Sequence, residues 1–223
     1  EFISACDVGH FCINGGRFLC PAGTYNDKEG GFYCPTCPDS TFTDATGMSS
    51  CFPCPAGYFC TGGKQQPCRD NNTFCGAESS VPALVSGGHY SIPVGDGLKT
   101  NESVCERGSY CVDGIMFMCD VGTYNNKEGG FYCPACPEGT FANATGMSSC
   151  FLCPGGHYCS TDSELPCGAA DRYCPPGSNA PMIVDSGSYS IPEDEHDTEH
   201  RTGQERCPAG KCPCVRDLST QCD

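Results

Sequence analysis

The chain has 223 residues, of which 24 are Cys, 29 Gly and 18 Pro, and only 38% are hydrophobic even with Cys counted among them. A Cys content above roughly 8–10% marks a disulfide scaffold, and the apolar share falls short of the usual 45–50%, which excludes a large oily core and most enzyme classes with it. The net charge of −15 repels phosphate backbones and anionic lipid surfaces, so nucleic acid is excluded as the expected partner.

Modules too small to bury enough apolar area recruit covalent cross-links, and those persist only in oxidising compartments. The expected address is therefore extracellular or at the cell surface. Apolar runs such as Gly114-Ile115-Met116-Phe117-Met118 end at a cysteine, so no direct membrane insertion is expected. With no Met or leader before Glu1, we read the chain as a mature or excised piece of a longer product.

From the N-terminus, the first block, 1–75, holds Cys6, Cys12, Cys20, Cys34, Cys37, Cys51, Cys54, Cys60, Cys68 and Cys75. All ten recur 99 residues later as Cys105, Cys111, Cys119, Cys133, Cys136, Cys150, Cys153, Cys159, Cys167 and Cys174, which define a second block, 105–174. Between Cys20 and Cys54, 26 of 35 residues match their counterparts, including Lys28-Glu29-Gly30-Gly31-Phe32-Tyr33 and Ala45-Thr46-Gly47-Met48-Ser49-Ser50, more than a bare cysteine frame requires. A finer spacing, Cys-x5-Cys-x7-Cys with Gly three residues after the first Cys, occurs twice in each block. Between these knots, the loops Cys20 to Cys34 and Cys37 to Cys51 each begin with a Thr-aromatic pair and carry Gly before the closing Cys, so we expect two small hairpins.

Cysteine-free connectors follow each block, 76–104 and an acidic one at 175–206. Val81-Pro82-Ala83-Leu84-Val85 and Pro181-Met182-Ile183-Val184 predict one strand or extended arm in each, and Tyr90-Ser91-Ile92-Pro93 recurs as Tyr189-Ser190-Ile191-Pro192. The last segment, 207–223, opens like a third copy with Cys207 and Cys212. Cys214 and Cys222 then break the pattern, as a divergent cap or a truncated repeat would.

Cys34, Cys37, Cys51 and Cys54 approach a zinc-ribbon spacing, but Cys₄ zinc sites would strand the other sixteen cysteines, so all 24 are assigned to disulfides and no metal or cofactor is expected. Connectivity does not follow from sequence. We expect Cys37 to Cys51 with each knot threaded in alternation, Cys6 to Cys20 with Cys12 to Cys34 and Cys54 to Cys68 with Cys60 to Cys75. A scheme joining neighbours, with Cys20 to Cys34, is the alternative.

The phrases Cys20-Pro21-Ala22-Gly23-Thr24-Tyr25 and Cys54-Pro55-Ala56-Gly57-Tyr58-Phe59-Cys60, with the Cys-x2-Cys junctions, resemble the ephrin-receptor-like cysteine-rich repeats, related in style to EGF-like and tumour-necrosis-factor-receptor modules. The resemblance covers both ten-cysteine blocks. It implies elongated, disulfide-stapled arrays of the kind found in surface receptors and in large extracellular proteins of protists and algae. The long cysteine-free connectors depart from that pattern.

The fold class expected is thus small and disulfide-rich: tandem cysteine-rich modules of short β-hairpins with little regular secondary structure, elongated. No catalytic set stands out. The histidines His10, His89, His157, His196 and His200 are read as lying in loops or in the acidic stretch Glu193 to His200, itself read as a solvated tether in preference to a hard-cation or zinc site, since the calcium-loop spacing is absent. Asn71, Asn101 and Asn143 head N-glycosylation sequons, and Asn143 replaces Asp44 of the first copy. Tyr25, Phe32, Tyr33, Phe42, Phe52, Tyr58 and Phe59 are read as miniature cores stacked on disulfides, or else as an exposed docking stripe. The function expected is that of a structural repeat protein, a subunit of a surface filament, coat or flagellar hair that assembles into a homopolymer. A receptor or adhesin ectodomain is the alternative.

Overall fold

A computed structural model of the protein describes residues 6–95, 97–192 and 199–207. The chain divides into two compact units, Glu1–Cys105 with Cys111–Met116, and Glu106–Tyr110 with Phe117–Asp223. In the first, β1 (His10–Ile13) pairs with β2 (Gly16–Leu19), β3 (Thr41–Phe42) with β4 (Phe52–Pro53), and β5 (Tyr58–Thr61) with β6 (Lys64–Pro67). There follow β7 (Thr73–Phe74) with β8 (Ala83–Leu84) and β9 (His89–Ile92) with β10 (Asn101–Val104). The hairpin β11 (Ser109–Val112) and β12 (Ile115–Met118) comes next in the chain. In the second unit β13 (Thr140–Phe141) pairs with β14 (Phe151–Leu152), β15 (His157–Cys159) with β16 (Glu164–Pro166), β17 (Arg172–Tyr173) with β18 (Met182–Ile183), and β19 (Ser188–Ile191) with β20 (Gly203–Arg206). Every sheet has two antiparallel strands, and the described residues contain no helix: this is a small disulfide-rich fold of repeated hairpins.

One hydrogen bond recurs in every rung of this series. The N–H of the closing residue donates to the carbonyl of the opening residue at 2.8–3.0 Å: Cys20 to Gly9, Cys37 to Gly23, Cys54 to Ser40, Cys68 to Gly57, Val85 to Asn72 and Cys105 to Gly88. The second unit repeats it from Cys119 to Gly108, Cys136 to Gly122, Cys153 to Gly139, Cys167 to Gly156, Val184 to Asp171 and Cys207 to Gly187. Each copy of the repeat therefore holds six rungs, and one 99-residue repeat is six hairpins long. Glycine suits the opening position because the backbone there is left-handed, with φ 74° at Gly9, where an added Cβ would also lie 2.1 Å from the Gly47 carbonyl oxygen.

Two residues after the opener comes an aromatic residue in all twelve rungs: Phe11, Tyr25, Phe42, Phe59, Phe74 and Tyr90, then Tyr110, Tyr124, Phe141, Tyr158, Tyr173 and Tyr189. The residue after it faces inward and is small or polar: Cys12, Asn26, Thr43, Cys60, Cys75 and Ser91, then Cys111, Asn125, Ala142, Cys159, Cys174 and Ser190. Eleven of these twelve are buried. Their N–H groups tie each rung to the turn of the next, as in Cys12 to the Gly31 carbonyl (2.9 Å), Thr43 to Gly63 (3.3 Å), Cys60 to Ser79 (2.9 Å) and Cys75 to Lys99 (3.0 Å). Among the described residues, the buried apolar side chains are fifteen half-cystines plus Phe141 and Ala142. Cystine stands where an ordinary domain has Leu and Ile.

The bridges correct the threaded scheme. The pairs are Cys6–Cys12, Cys20–Cys34, Cys37–Cys51, Cys54–Cys60 and Cys68–Cys75, repeated as Cys105–Cys111, Cys119–Cys133, Cys136–Cys150, Cys153–Cys159 and Cys167–Cys174. Each bridge is internal to one rung. The cysteine three residues before the opener, or four in the fifth rung, joins the inward position when that is Cys. When Asn26 or Thr43 occupies the inward position, it joins a cysteine eleven residues past the opener instead. The four cysteines with ribbon spacing thus have partners outside that quartet, apart from the Cys37–Cys51 pair. Cys207 is disulfide-bonded as well, while Cys212, Cys214 and Cys222 lie outside the described residues.

The loop from Cys20 to Cys34 forms less sheet than expected, a single bridge between Thr24 and Thr36. Tyr25 donates its N–H to the Pro35 carbonyl at 3.0 Å, but Pro35 has no N–H to return. Asn26 then turns in, its Nδ2 donating to the His10 carbonyl at 2.6 Å and its Oδ1 accepting from the Lys28 N–H at 3.2 Å. A Cβ on Gly31 would sit 2.0 Å from that Nδ2, which accounts for Gly31 and its equivalent Gly130 in the repeated Lys-Glu-Gly-Gly run.

Each connector holds three strands rather than one. β8 pairs back onto β7, and β9 with β10 makes the sixth rung, in which Val85 and Ser91 stand where other rungs have a bridged pair. Here the long turn is tied by Lys99, only 1% exposed, whose Nζ donates to the carbonyls of Pro93 (3.0 Å) and Gly95 (2.6 Å). The second copy is three residues longer in this turn, and Arg201 takes the equivalent place, 5% exposed. Both Ile92-Pro93 and Ile191-Pro192 are cis.

Two outcomes follow from the rung rule. The double variant Val85→Cys/Ser91→Cys, produced under oxidising conditions, is expected to close an additional bridge, seen by mass spectrometry as a new cross-linked peptide with no added free thiol. Lys99→Met removes the buried ammonium that ties the Pro93 and Gly95 carbonyls together, a loss of about 1.5–3 kcal/mol, the range for a hydrogen bond to a charged group. Hydrogen exchange at the Cys75 N–H, which donates to the Lys99 carbonyl, reads it directly.

Candidate interaction surface

Hairpins of two strands have two faces, and here only one is covered by cystine. The rung aromatics take the partly covered positions and are half-buried, apart from Phe141, which is buried. Several are backed by a cross-strand ring: Phe11 on Phe18 (centroids 5.4 Å apart), Phe42 on Phe52 (6.3 Å), Tyr110 on Phe117 (5.4 Å) and Phe141 on Phe151 (6.1 Å). Such pairs contribute about 0.5–1.5 kcal/mol beyond the area they bury.

The seven aromatics singled out in the sequence therefore separate into two groups. Tyr25, Phe42, Phe59 and Tyr58 are half-buried and support the hairpins. Phe32, Tyr33 and Phe52 lie exposed. Phe32 and Tyr33 are 71% and 58% exposed, and their counterparts Phe131 and Tyr132 are 61% and 71% exposed. The first pair packs ring on ring at 5.0 Å, at the end of the loop that Cys20–Cys34 closes. Exposure recurs between copies at Leu19 and Met118, Phe52 and Phe151, and Leu84 and Ile183. These apolar side chains are exposed in both copies.

An open depression beside Phe42, Thr43, Asp44, Tyr58, Lys64 and Gln65 is formed within the first unit. The residues at the same positions in the second copy are Phe141, Ala142, Asn143, His157, Ser163 and Glu164. Asn71, Asn101 and Asn143 are all exposed, in a turn, at the start of β10 and in the loop after β13. No group of three or more His, Cys, Asp or Glu is gathered as for a metal ion among the described residues. No helix among them is long and apolar enough to cross a membrane.

Three histidines lie in strands rather than loops, because the position after an opener is the first strand residue: His10 in β1, His89 in β9 and His157 in β15. His200 lies in the turn between β19 and β20, while His196 falls outside the described residues together with most of the acidic stretch, 193–198. Burial pushes the Glu102 carboxyl up. The hydrogen bonds from the Ser86 N–H and Oγ, with His89 nearby, outweigh that effect and hold it below the ordinary carboxylate value. That contribution is present at neutral pH and fades as pH falls through the lowered value. In the second copy the same contact is kept with its groups exchanged, the Asp185 N–H donating to Gln204 Oε1 (2.8 Å) and Gln204 Nε2 to Asp185 Oδ2 (2.7 Å).

Comparison with known proteins gives no match to any family model and none to a curated protein. The fold, its cystine core and the repeated surface are thus the ground for a functional reading. The bridges themselves indicate maturation in an oxidising compartment.

Truncating a buried ring and an exposed one separates support from display. Phe141→Ala is expected to cost about 3–5 kcal/mol, as other buried Phe truncations do. Phe32→Ala is expected to stay within about 0.5 kcal/mol of the native chain, both read by denaturant unfolding without reductant.

Proposed function

We propose that the chain is a structural protein of the cell exterior, a subunit that builds a surface filament, coat or flagellar hair by contacts between copies of itself. The observation that carries this reading is the recurrence of exposed apolar pairs, Phe32-Tyr33 and Phe131-Tyr132 foremost, at equivalent places in two units of the same fold. Equivalent patches on repeated units let one contact be made again by each, the requirement for an open-ended assembly. The resemblance to ephrin-receptor-like repeats, carried by phrases such as Cys54-Pro55-Ala56-Gly57-Tyr58-Phe59-Cys60, agrees with an extracellular address. On this reading Asn71, Asn101 and Asn143 carry N-linked glycans. The Asn143 glycan would stand over the place equivalent to the depression beside Asp44, leaving that place open in the first copy alone.

A charge of −15 opposes association of like chains, so raising salt should strengthen it. Sizing of the full chain is expected to show growth with concentration, more at high salt. Replacing Phe32, Tyr33, Phe131 and Tyr132 by Ser should raise the concentration needed at least about tenfold, equivalent to about 1.4 kcal/mol, with unfolding unchanged. A chain that stays monomeric throughout overturns this reading in favour of a receptor or adhesin ectodomain.

A further inference from the structure

The two copies differ most informatively where the long turn of the sixth rung packs on the fourth. In the first copy the residues that meet there are Gly57 and Leu98, with Tyr58 beside them: a Cβ on Gly57 would lie 2.8 Å from the Leu98 Cβ. In the second copy the equivalents are Gly156, His200 and His157, and the two imidazoles pack in a tilted contact with centroids 4.8 Å apart and planes inclined by 47°. Hydrogen bonds of the main chain fix both ends of this contact. His157 begins β15 opposite Pro166. The turn that carries His200 is held on either side, the Gly168 N–H donating to the Glu199 carbonyl (3.2 Å) and the Cys174 N–H to the Arg201 carbonyl (2.8 Å).

His157 Nδ1 is buried with no hydrogen-bond partner. Tyr and Leu fill the same place in the first copy, so packing alone does not call for imidazole. A buried ring nitrogen without a partner is left desolvated and uncompensated, and in the tautomer that leaves it unprotonated such a nitrogen is a ligand atom. We propose that His157 and His200 form a two-imidazole site for a borderline transition-metal ion, Zn(II), Ni(II) or Cu(II), which clamps the turn of the last rung to β15.

The separation of the rings suits one shared ion. With metal–nitrogen distances of about 2.0–2.1 Å and one nitrogen of each ring turned to the ion, rings whose centres are 4.8 Å apart subtend roughly 100° at the metal. Tetrahedral and square-planar ions accept that angle and complete their coordination with water. The donor set also selects the class. Imidazole suits Zn, Ni and Cu, whereas Ca(II) and Mg(II) require several oxygen ligands.

The test uses the intact chain, stripped with chelator and titrated with the metal salt alone. Calorimetry with ZnCl2 and NiCl2 is expected to give one saturable site per chain, and CaCl2 none. His157→Tyr and His200→Leu restore the residues of the first copy, so both should fold. Each should weaken binding at least as much as loss of a supporting group does elsewhere, about tenfold, and together they should abolish it. Independently of any variant, traces of Cu(II) should broaden the imidazole NMR signals of His157 and His200 before those of His10 and His89. The proposal is overturned by the absence of a saturable site, by binding that survives the double substitution, or by broadening spread evenly over the histidines.

Discussion

The structure depends on a local closure: one main-chain hydrogen bond between the ends of each hairpin, reinforced in most rungs by a disulfide a few residues away. Closing a loop of 14 residues by a bridge removes about 3 kcal/mol of chain entropy from the unfolded state on the entropic model. That stabilisation does not depend on apolar area, which a two-stranded hairpin cannot bury by itself. A threaded pairing would close longer loops across rungs. The observed pairing instead makes each rung self-sufficient, so the same device, 12 to 21 residues from opener to closer, can be repeated twelve times with different side chains.

Substitutions at the inward position show what the device tolerates. Cys there makes the short bridge, Asn26 replaces it with hydrogen bonds to the His10 carbonyl and the Lys28 N–H, and Thr43 accepts from the Gly23 N–H through Oγ1 at 2.7 Å. Ala142 gives up that last bond, yet the Gly122 N–H still donates to the Ala142 carbonyl at 2.8 Å. The main chain supplies the constant part of the rung, and the side chain adds to it. The sixth rung carries the principle furthest: its cross-links are a buried cation on carbonyls and a Ser-Glu contact that the other copy rebuilds as Asp-Gln.

This explains which parts of the fold were legible in the sequence. Cysteines announce themselves, so the repeat, the cystine core and the hairpins could be read from spacing, as could Gly three residues after a cysteine. Pairing could not, because neighbouring and threaded schemes share one set of positions and differ only in which backbone segments approach. The sixth rung was hidden for a related reason. Gly88-His89-Tyr90-Ser91 has the form of Gly57-Tyr58-Phe59-Cys60 with Ser for Cys, so a frame drawn through cysteines passes over it as a connector. The signal that could have found it is the aromatic two residues after each opener, which holds in all twelve rungs whether or not cysteine is present. The exposure of Phe32 and Tyr33, in contrast, is seen only in the folded loop, where the Asn26 side chain turns in and takes the space beside Gly31.

A scaffold built this way separates what is common from what is particular. Positions that close a rung must be kept in every copy, so they carry little information about partners. Exposed positions that are kept nonetheless, such as Phe32 and Phe131, are free of that requirement. Positions that the rung leaves free but that differ between copies, Asp44 against Asn143, Tyr58 against His157 and Leu98 against His200, carry the opposite kind of information. They lie around one region of the fourth rung and the turn packed on it, and they exchange a carboxylate, a phenol and an alkyl group for a sequon and two imidazoles. A shared surface suits a contact made many times over, and a region changed in one copy suits a role performed once per chain.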